Sequence, residues 1–200
     1  MNQGMTQPPH PNPIKPSWRW MFQTAGRTLA LGFGSGLSPV APGTIGTLWA
    51  WALFLIGQFF FSSDDWIWII GGGLVAACWI CGHASDELGS PDFGGIVLDE
   101  ILAFWLILLL IMPAPLWMQA FAFVLFRFFD AVKPGPIGAI DRHFKSSAWL
   151  SASTPQTIPK ILWRGFGIVV DDLAAAFATL LVLALLSTTG LLASYSSLID

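Results

Sequence analysis

Two pairs of adjacent carboxylates are the residues of this sequence whose type and spacing most directly suggest chemistry. Asp99 and Glu100 lie in the string GIVLDEI, and Asp171 and Asp172 lie in the closely similar string GIVVDDL. Two converging carboxylate pairs, with no cluster of histidines or cysteines nearby, would supply the hard oxygen ligands that Mg²⁺ prefers. We therefore predict that these four residues bind Mg²⁺.

A simpler explanation of the pairs is that acidic residues complement the dipole at a helix N-terminus, which is worth about 0.3 to 1 kcal/mol. Each pair, however, follows three apolar residues that are expected to begin the helix, which places the carboxylates about one turn inside it. Ionised acids inside a membrane helix cost roughly 2.5 to 3.5 kcal/mol each unless they find partners, and such residues usually mark function. The pattern therefore favours a functional site.

A second motif combines basic and acidic side chains in the string RFFDAVKP. Arg127, Asp130 and Lys133 follow one another at three-residue spacing, so they share one face of a predicted helix. An anion could bind there. An internal salt bridge that closes the helix before Pro134 explains the spacing equally well.

A third motif is the glycine-rich stretch GFGSGLSPVAPGTIGT, which precedes the first long apolar segment and contains Thr44 and Thr47. Glycines and hydroxyl groups at a helix N-terminus can bind phosphate through free backbone N–H groups. Small residues also serve close helix packing in membranes. This stretch alone therefore indicates a phosphate site only weakly.

The composition shows which kind of element must carry these motifs. Hydrophobic residues make up 54% of the 200 residues and charged residues only 10%, and the mean hydropathy is +0.67. These values exclude an ordinary soluble domain and indicate that lipid surrounds most of the chain. No basic cluster indicates a nucleic-acid partner.

Five apolar stretches without strand-like alternation predict an all-α, multi-pass membrane protein with four to five apolar helices. We expect a disordered or interfacial N-terminal tail over residues 1–27, one helical membrane domain over residues 28–190, and a short C-terminal tail over residues 191–200. The apolar stretches are residues 44–61, 66–81, 96–112, 116–129 and 168–186.

The basic residues predict the orientation of the domain. Every Lys and Arg lies either before the first apolar stretch or between the end of the fourth stretch and the start of the fifth, within residues 15–27 and 127–164. With five spans both segments fall on one side, which the positive-inside rule makes cytoplasmic. The acidic pairs and the predicted loop 82–92 border the same side, so we expect a carboxylate-rich site at the cytoplasmic face.

Taken together, four strings resemble the motifs of the phosphatidylglycerophosphatase A family: GFGSGLSPVAPGTIGTL, GGIVLDE, FRFFDAVKPGPIGAIDR and GFGIVVDDLAAAF. The resemblance covers approximately residues 31–184. It implies a Mg²⁺-dependent hydrolase of the bacterial inner membrane that acts in phospholipid biosynthesis. Its substrate would be the lipid phosphatidylglycerophosphate, which is converted to phosphatidylglycerol and phosphate. Neither the residues nor the resemblance indicates an oligomeric state.

The resemblance also implies roles for individual residues. The catalytic residues would be Asp99, Glu100, Asp130, Asp171 and Asp172. The metal ligands among them would be Asp99, Glu100, Asp171 and Asp172. The residues that bind the substrate phosphate would be Arg127, Lys133, Thr44, Thr47 and Asp141.

Two other classes of membrane protein use similar residues. A CDP-alcohol phosphotransferase combines intramembrane carboxylates, Mg²⁺ and a lipid phosphate, but its pattern D-x2-D-G-x2-A-R is missing from this sequence. A small transporter with a carboxylate ion site would place its acidic residues at mid-membrane, whereas these cluster at one end. Both classes remain alternatives to the phosphatase.

Overall fold

The computed structural model describes residues 14–90, 93–135, 138 and 157–188. These residues form helices and connecting segments and contain no strand, which confirms the all-α fold class. The helices are α1 (Trp18–Met21), α2 (Ala25–Ala30), a 3-10 segment (Gly32–Leu37), α3 (Pro42–Gly57), α4 (Ser63–Glu87), α5 (Leu98–Ile111), α6 (Leu116–Val132) and α7 (Ile158–Thr188). Asp141, residues 1–13 and the predicted C-terminal tail lie outside the described residues.

Local sequence signals determine where the helices begin and end at the side of the bundle away from the two acidic pairs. Ser62 caps α4: its hydroxyl accepts from the backbone N–H of Asp65, while the Asp65 carboxylate accepts from the backbone N–H of Ser62. Pro113 follows the end of α5, and Pro115 immediately precedes α6. Proline has no backbone N–H and disfavours a helical conformation of the residue before it. The helix α5 therefore ends before Pro113, and the chain turns between α5 and α6.

The central element is α5, which is apolar around most of its circumference after its first turn. Its residues Ile101, Phe104, Ile107 and Leu108 are at most 3% exposed. The helices that pack against it are α3, α4, α6 and α7. A helix that is hydrophobic on all sides belongs at the centre of a bundle, and α5 occupies that position.

Glycines allow α4 and α7 to pack with their backbones in close contact. A Cβ atom at Gly82 would collide with the backbone carbonyl of Ile161, and one at Gly165 would collide with the backbone carbonyl of Cys78. Small residues at such crossings are typical of helix packing in membranes, where close van der Waals contact replaces the hydrophobic effect. Gly82 and Gly165 thereby determine the separation of these two helices.

Two of the described helices, α4 and α7, are long and apolar enough to cross a membrane, and α3 is a shorter apolar helix. This is fewer than the four to five spans predicted from the sequence. The bounds also differ, since α4 continues to Glu87 through part of the predicted loop 82–92, and α7 begins at Ile158, well before residue 168. These helices extend beyond the apolar stretches because the polar residues at their ends form ion pairs with each other, as Arg164 does with Asp86.

The order of the helices brings the chemically active ends together. The first turns of α3 and α5, the last turns of α4 and α6, and the middle of α7 meet at one end of the bundle, as their mutual contacts show. The capped start of α4 and the turn between α5 and α6 lie at the other end. Most of the side chains predicted to be functional are therefore gathered at a single end.

We predict that replacing Gly165 with Ala destabilises the protein, because the new Cβ would collide with the Cys78 carbonyl. Overpacking of this kind costs about 1 to 3 kcal/mol. Gly72→Ala is the matched control, since a Cβ there has nothing within 4 Å. In a helix that control should be neutral or stabilising by up to about 1 kcal/mol. Thermal unfolding in detergent measures both, and equal melting temperatures would contradict the proposed close contact.

Candidate active site

Five predicted carboxylates converge from three helices. Asp99 and Glu100 come from α5, Asp130 from α6, and Asp171 and Asp172 from α7. Electrostatic interactions connect Asp172 with Asp99, Asp130 and Glu100. Asp99, Asp171 and Asp172 are each less than 9% exposed. The structure thus brings the two acidic pairs of the sequence repeat into one buried cluster.

The two halves of the repeat are nevertheless not structurally equivalent. Asp99 and Glu100 occupy the first turn of α5, which begins at Leu98, and not a position one turn inside the helix as predicted. Asp171 and Asp172 lie about four turns after the start of α7. The prediction was wrong because residues 95–97 precede α5, and because α7 begins long before its own Gly-Ile-Val string.

Three of the carboxylates lie close enough together that they could hold a metal ion. Ligand oxygens of Asp130, Asp171 and Asp172 all lie within 4.8 Å of one another. This group contains two of the four predicted metal ligands and adds Asp130. A hard divalent cation is the natural partner of such an all-oxygen, negatively charged group.

Several carboxylate oxygens at the site are buried without a hydrogen bond. Asp99 Oδ1, Glu100 Oε2 and Asp172 Oδ2 have no hydrogen-bond partner among the described residues. A buried polar atom without a partner costs free energy, and for charged groups the cost is larger. These oxygens therefore fit a site whose remaining interactions come from a bound cation.

Arg127 partly neutralises the cluster. Its Nη1 atom lies 3.1 Å from Glu100 Oε1 and 2.8 Å from Asp130 Oδ2. The same nitrogen donates to Thr47 Oγ1 at 3.3 Å, and the Thr47 hydroxyl donates to the backbone carbonyl of Gly43 at 2.9 Å. Arg127 thereby connects α3, α5 and α6 at the centre of the site.

The start of α3 lies directly against this arginine. A Cβ atom at Gly43 would collide with the Glu100 carboxylate and would lie 2.8 Å from Arg127 Nη2. The glycine-rich stretch therefore provides space for the ion pair between α5 and α6. Phosphate binding by Thr44, which is half-buried, and by Thr47 stays a prediction.

Lys133 connects α6 to α7. It ends α6 in the left-handed conformation, with φ at 48°, and its ammonium group forms an ion pair with Asp171. The left-handed region is uncommon for residues other than glycine. The alternative interpretation of this motif, an internal salt bridge, holds for Arg127 and Asp130. Lys133 instead leaves that helical face and reaches the neighbouring helix.

Sequence reasoning missed a second group of ion pairs at the same end of the bundle. Arg27 forms two hydrogen bonds to Glu87, at 2.8 and 2.9 Å, and its guanidinium stacks on Trp20 at 4.3 Å. The hydrogen bond to Glu87 raises the pKa of Arg27 above its usual value. Arg164 pairs with Asp86 at 3.2 Å. The adjacent acids at positions 86 and 87 were the available signal, but their partners are distant in sequence.

Comparisons with known proteins identify the family to which the chain is similar. The sequence model of the phosphatidylglycerophosphatase A family matches residues 28–150. The chain is similar to phosphatidylglycerophosphatase A of Escherichia coli, with 33% identity over 148 residues that cover 74% of each chain. It is also similar to phosphatidylglycerophosphatase A of Haemophilus influenzae, with 34% identity over 159 residues, or 78% of this chain and 86% of the relative.

A third relative carries a different name. It is a putative phosphatidylinositol-3-phosphatase of Bacteroides thetaiotaomicron, with 29% identity over 161 residues, which cover 78% of this chain and 89% of the relative. No solved structure matches the chain.

We predict that replacing Arg127 with Met destabilises the protein strongly, because Glu100 and Asp130 would lose their shared counter-charge. Removing one partner of a buried ion pair typically costs about 3 to 5 kcal/mol. Adding Glu100→Gln to the Arg127→Met variant should recover part of the loss, since one uncompensated charge disappears. Unfolding of the two single variants and the double variant forms a cycle that measures the coupling. Additive effects would show that the pair contributes no coupling energy.

Proposed function

The chain belongs to the phosphatidylglycerophosphatase A family, and from this premise we propose that it removes the terminal phosphate of phosphatidylglycerophosphate to give phosphatidylglycerol. The reaction is the hydrolysis of a phosphate monoester of a membrane lipid. These esters are among the most slowly hydrolysed biological compounds, so their cleavage requires strong stabilisation of charge.

One observation supports the proposal above all: buried carboxylates and two cations meet at one end of an apolar helical bundle. The acidic group of Asp130, Asp171 and Asp172 suits a divalent cation, and Arg127 and Lys133 lie beside it. Hydrolysis of a phosphate ester needs both the metal-binding carboxylates and the basic side chains. The metal ion and the basic side chains together offset the negative charge of the phosphate.

We propose that the metal ion is Mg²⁺ and that Asp130, Asp171 and Asp172 bind it, with Asp99 and Glu100 adjacent to them. The ligands are all carboxylate oxygens, which favours Mg²⁺ over the softer metals that bind through histidine or cysteine. Bound Mg²⁺ would neutralise charge on the phosphate and make a coordinated water more acidic. The buried oxygens of Asp99, Glu100 and Asp172 are consistent with a nearby cation.

The side chains of the protein perform the other tasks. Arg127 and Lys133 bind and orient oxygen atoms of the terminal phosphate, with charge-assisted hydrogen bonds. Asp99, whose Oδ1 has no hydrogen-bond partner among the described residues, accepts a proton from the attacking water. Water adds to phosphorus as the ester P–O bond breaks. The glycerol oxygen leaves with a proton taken from solvent, Asp99 returns its proton to solvent, and orthophosphate is released.

We further propose that the protein crosses the bacterial inner membrane four to five times with the site facing the cytoplasm. The apolar helices α3 to α7 support this proposal, although α3, α5 and α6 are shorter than the two candidate spans. The basic residues Arg27, Lys133 and Arg164 lie at the end of the bundle that carries the carboxylates. By the positive-inside rule this end is cytoplasmic.

Family membership favours a phosphatase over the two alternatives considered from the sequence, the CDP-alcohol phosphotransferase and the small transporter. Asp99 and Glu100 also lie in the first turn of α5 and Asp130 in the last turn of α6, which places the cluster at one end of these helices, whereas a transporter site is expected near mid-membrane. The name of the Bacteroides relative suggests a phosphoinositide as a second substrate to compare.

We predict that the purified protein in detergent releases inorganic phosphate from phosphatidylglycerophosphate, that EDTA abolishes the release, and that added Mg²⁺ restores it. Asp172→Asn should reduce turnover at least about 100-fold, because it removes a proposed direct metal ligand. Loss of a residue that only supports a metal ligand already reduces metal affinity about 10- to 100-fold. Mg²⁺ should raise the melting temperature of the native protein and not that of Asp172→Asn.

Asp64→Asn is the matched control for this experiment, since Asp64 lies in the first turn of α4 at the opposite end of the bundle. Its turnover and its response to Mg²⁺ should equal those of the native protein. Phosphate release that is insensitive to EDTA would refute the metal assignment. Failure to release phosphate from this lipid, with release from a phosphoinositide, would refute the substrate assignment.

The proposed topology predicts opposite labelling of two introduced cysteines. Gly94→Cys lies beside α5 at the carboxylate end, where a Cβ meets nothing within 4 Å, and Ser63→Cys lies at the start of α4. In a background with Cys78→Ala and Cys81→Ala, a membrane-impermeant thiol reagent added to spheroplasts should label only position 63. Labelling of position 94 under these conditions would place the site on the outer face.

A further inference from the structure

An apolar groove of about 470 Å³ lies outside the carboxylate cluster, between α1, the 3-10 segment and α3. Its lining consists mainly of large hydrophobic side chains that are each 40 to 57% exposed. They are Trp18, Phe33, Ile45, Leu48 and Trp49, with Ala52 at the end farther along α3. Residues 45 to 52 extend over roughly 10 Å of the helix axis.

Backbone geometry builds the wall of this groove. Phe33 has φ 57° and ψ 25°, a left-handed conformation that bulky residues rarely adopt. Gly34 has φ 105°, and a Cβ there would collide with the Trp18 ring. The chain therefore accepts an unfavourable backbone conformation at Phe33 and leaves that aromatic ring exposed at the groove. Such strain is typically retained at functional positions.

The same segment is attached to the helix that carries two of the carboxylates. The backbone N–H of Val97 donates to the carbonyl of Ala30 at 2.9 Å. A Cβ at Gly32 would meet the side chains of Val97 and Ile101 at 2.7 and 2.8 Å. Since Asp99 lies between these two residues, the groove wall and the acidic cluster belong to one packed unit.

Helix α3 separates the groove from the cluster. Gly43 and Thr47 face Arg127, whereas Ile45, Leu48 and Ala52 face the groove on the opposite side of the helix. The diameter of a helix is about 10 to 12 Å with its side chains. This separation is comparable with the reach of an extended glycerol phosphate head group.

Two exposed basic residues are close in sequence to Trp18, the residue through which α1 lines the groove. Lys15 and Arg19 flank Trp18 and are both exposed. The backbone N–H of Ile14 donates to the carbonyl of Leu88 at 3.1 Å, which places this segment beside the carboxylate end of α4. Positive charge next to an apolar groove complements a ligand that has an anionic head and a hydrocarbon tail.

We propose that this groove binds an acyl chain of the anionic lipid substrate while the head group reaches around the start of α3 to Arg127 and Lys133. The inference rests on the proposed lipid phosphatase function. It assigns substrate selection to residues that take no part in the chemistry: the apolar wall recognises the chain, and Lys15 and Arg19 attract the anionic head group.

Comparison of two substrates tests the proposal. One is dioleoyl phosphatidylglycerophosphate, and the other is its deacylated head group, glycerophosphoglycerol phosphate. Ala52→Trp, which fills the groove, should lower the ratio of kcat/KM for the lipid to kcat/KM for the head group about tenfold or more. Ala76→Trp is the matched control, because Ala76 is exposed on α4 and does not line the groove. Its ratio should equal that of the native protein.

Photo-cross-linking provides a second measurement that does not depend on turnover of the variant. A substrate analogue with a diazirine in its acyl chain should label peptides that contain Phe33 or Trp49 in the native protein. Excess dioleoyl phosphatidylglycerophosphate should compete with this labelling, and an equal excess of phosphatidylethanolamine should not. Equal competition by both lipids would identify the groove as a site for bulk lipid and overturn the proposal. Equal ratios for Ala52→Trp and Ala76→Trp would also overturn it.

The outcomes separate this inference from the proposed function. If native protein hydrolyses neither the lipid nor the head group, the phosphatase proposal fails and the groove loses its proposed substrate. If native protein hydrolyses both, and Ala52→Trp lowers both values of kcat/KM equally, the phosphatase proposal stands and the groove proposal fails.

Discussion

The burial of several negative charges at one end of an apolar bundle is the constraint on which the rest of this structure depends. Asp99, Asp171 and Asp172 are nearly inaccessible, and Glu100 and Asp130 are close enough to repel them. In a medium of low polarisability such charges are costly unless they are paired. Arg127 and Lys133 supply part of the compensation within the protein, and a divalent cation would supply the remainder.

Close backbone packing makes this concentration of charge possible. Gly43 leaves room for the ion pair of Glu100 and Arg127 against the start of α3. At the same end of the bundle, Gly82 and Gly165 allow α4 and α7 to touch. Because lipid offers helices little hydrophobic drive to associate, such contacts must hold the helices together. These glycines therefore contribute to the site because, without a side chain, they let neighbouring helices and charged groups approach closely.

In the function proposed above, the site and the groove divide two tasks between the faces of α3. One face carries Gly43 and Thr47 toward the ion pairs, and the other carries Leu48 and Trp49 toward the groove. An enzyme that acts on a membrane lipid must hold a charged head group and an apolar chain at once. One short helix between two such surfaces meets this requirement without burying the head group among apolar residues.

The sequence alone determined the helical class and the two acidic pairs, because apolar runs and motif spacing are local properties. Its resemblance to a known family added Asp130, Arg127 and Lys133 to the residues that meet at the site. Only the tertiary structure showed the positions of these residues along their helices and their contacts with distant residues. The sequence repeat did not show that one acidic pair begins α5 while the other lies deep in α7. Nor did it show the pairing of Arg27 with Glu87 or the contact of Trp18 with Gly34. Such contacts depend on how distant helices pack, and no local pattern encodes that.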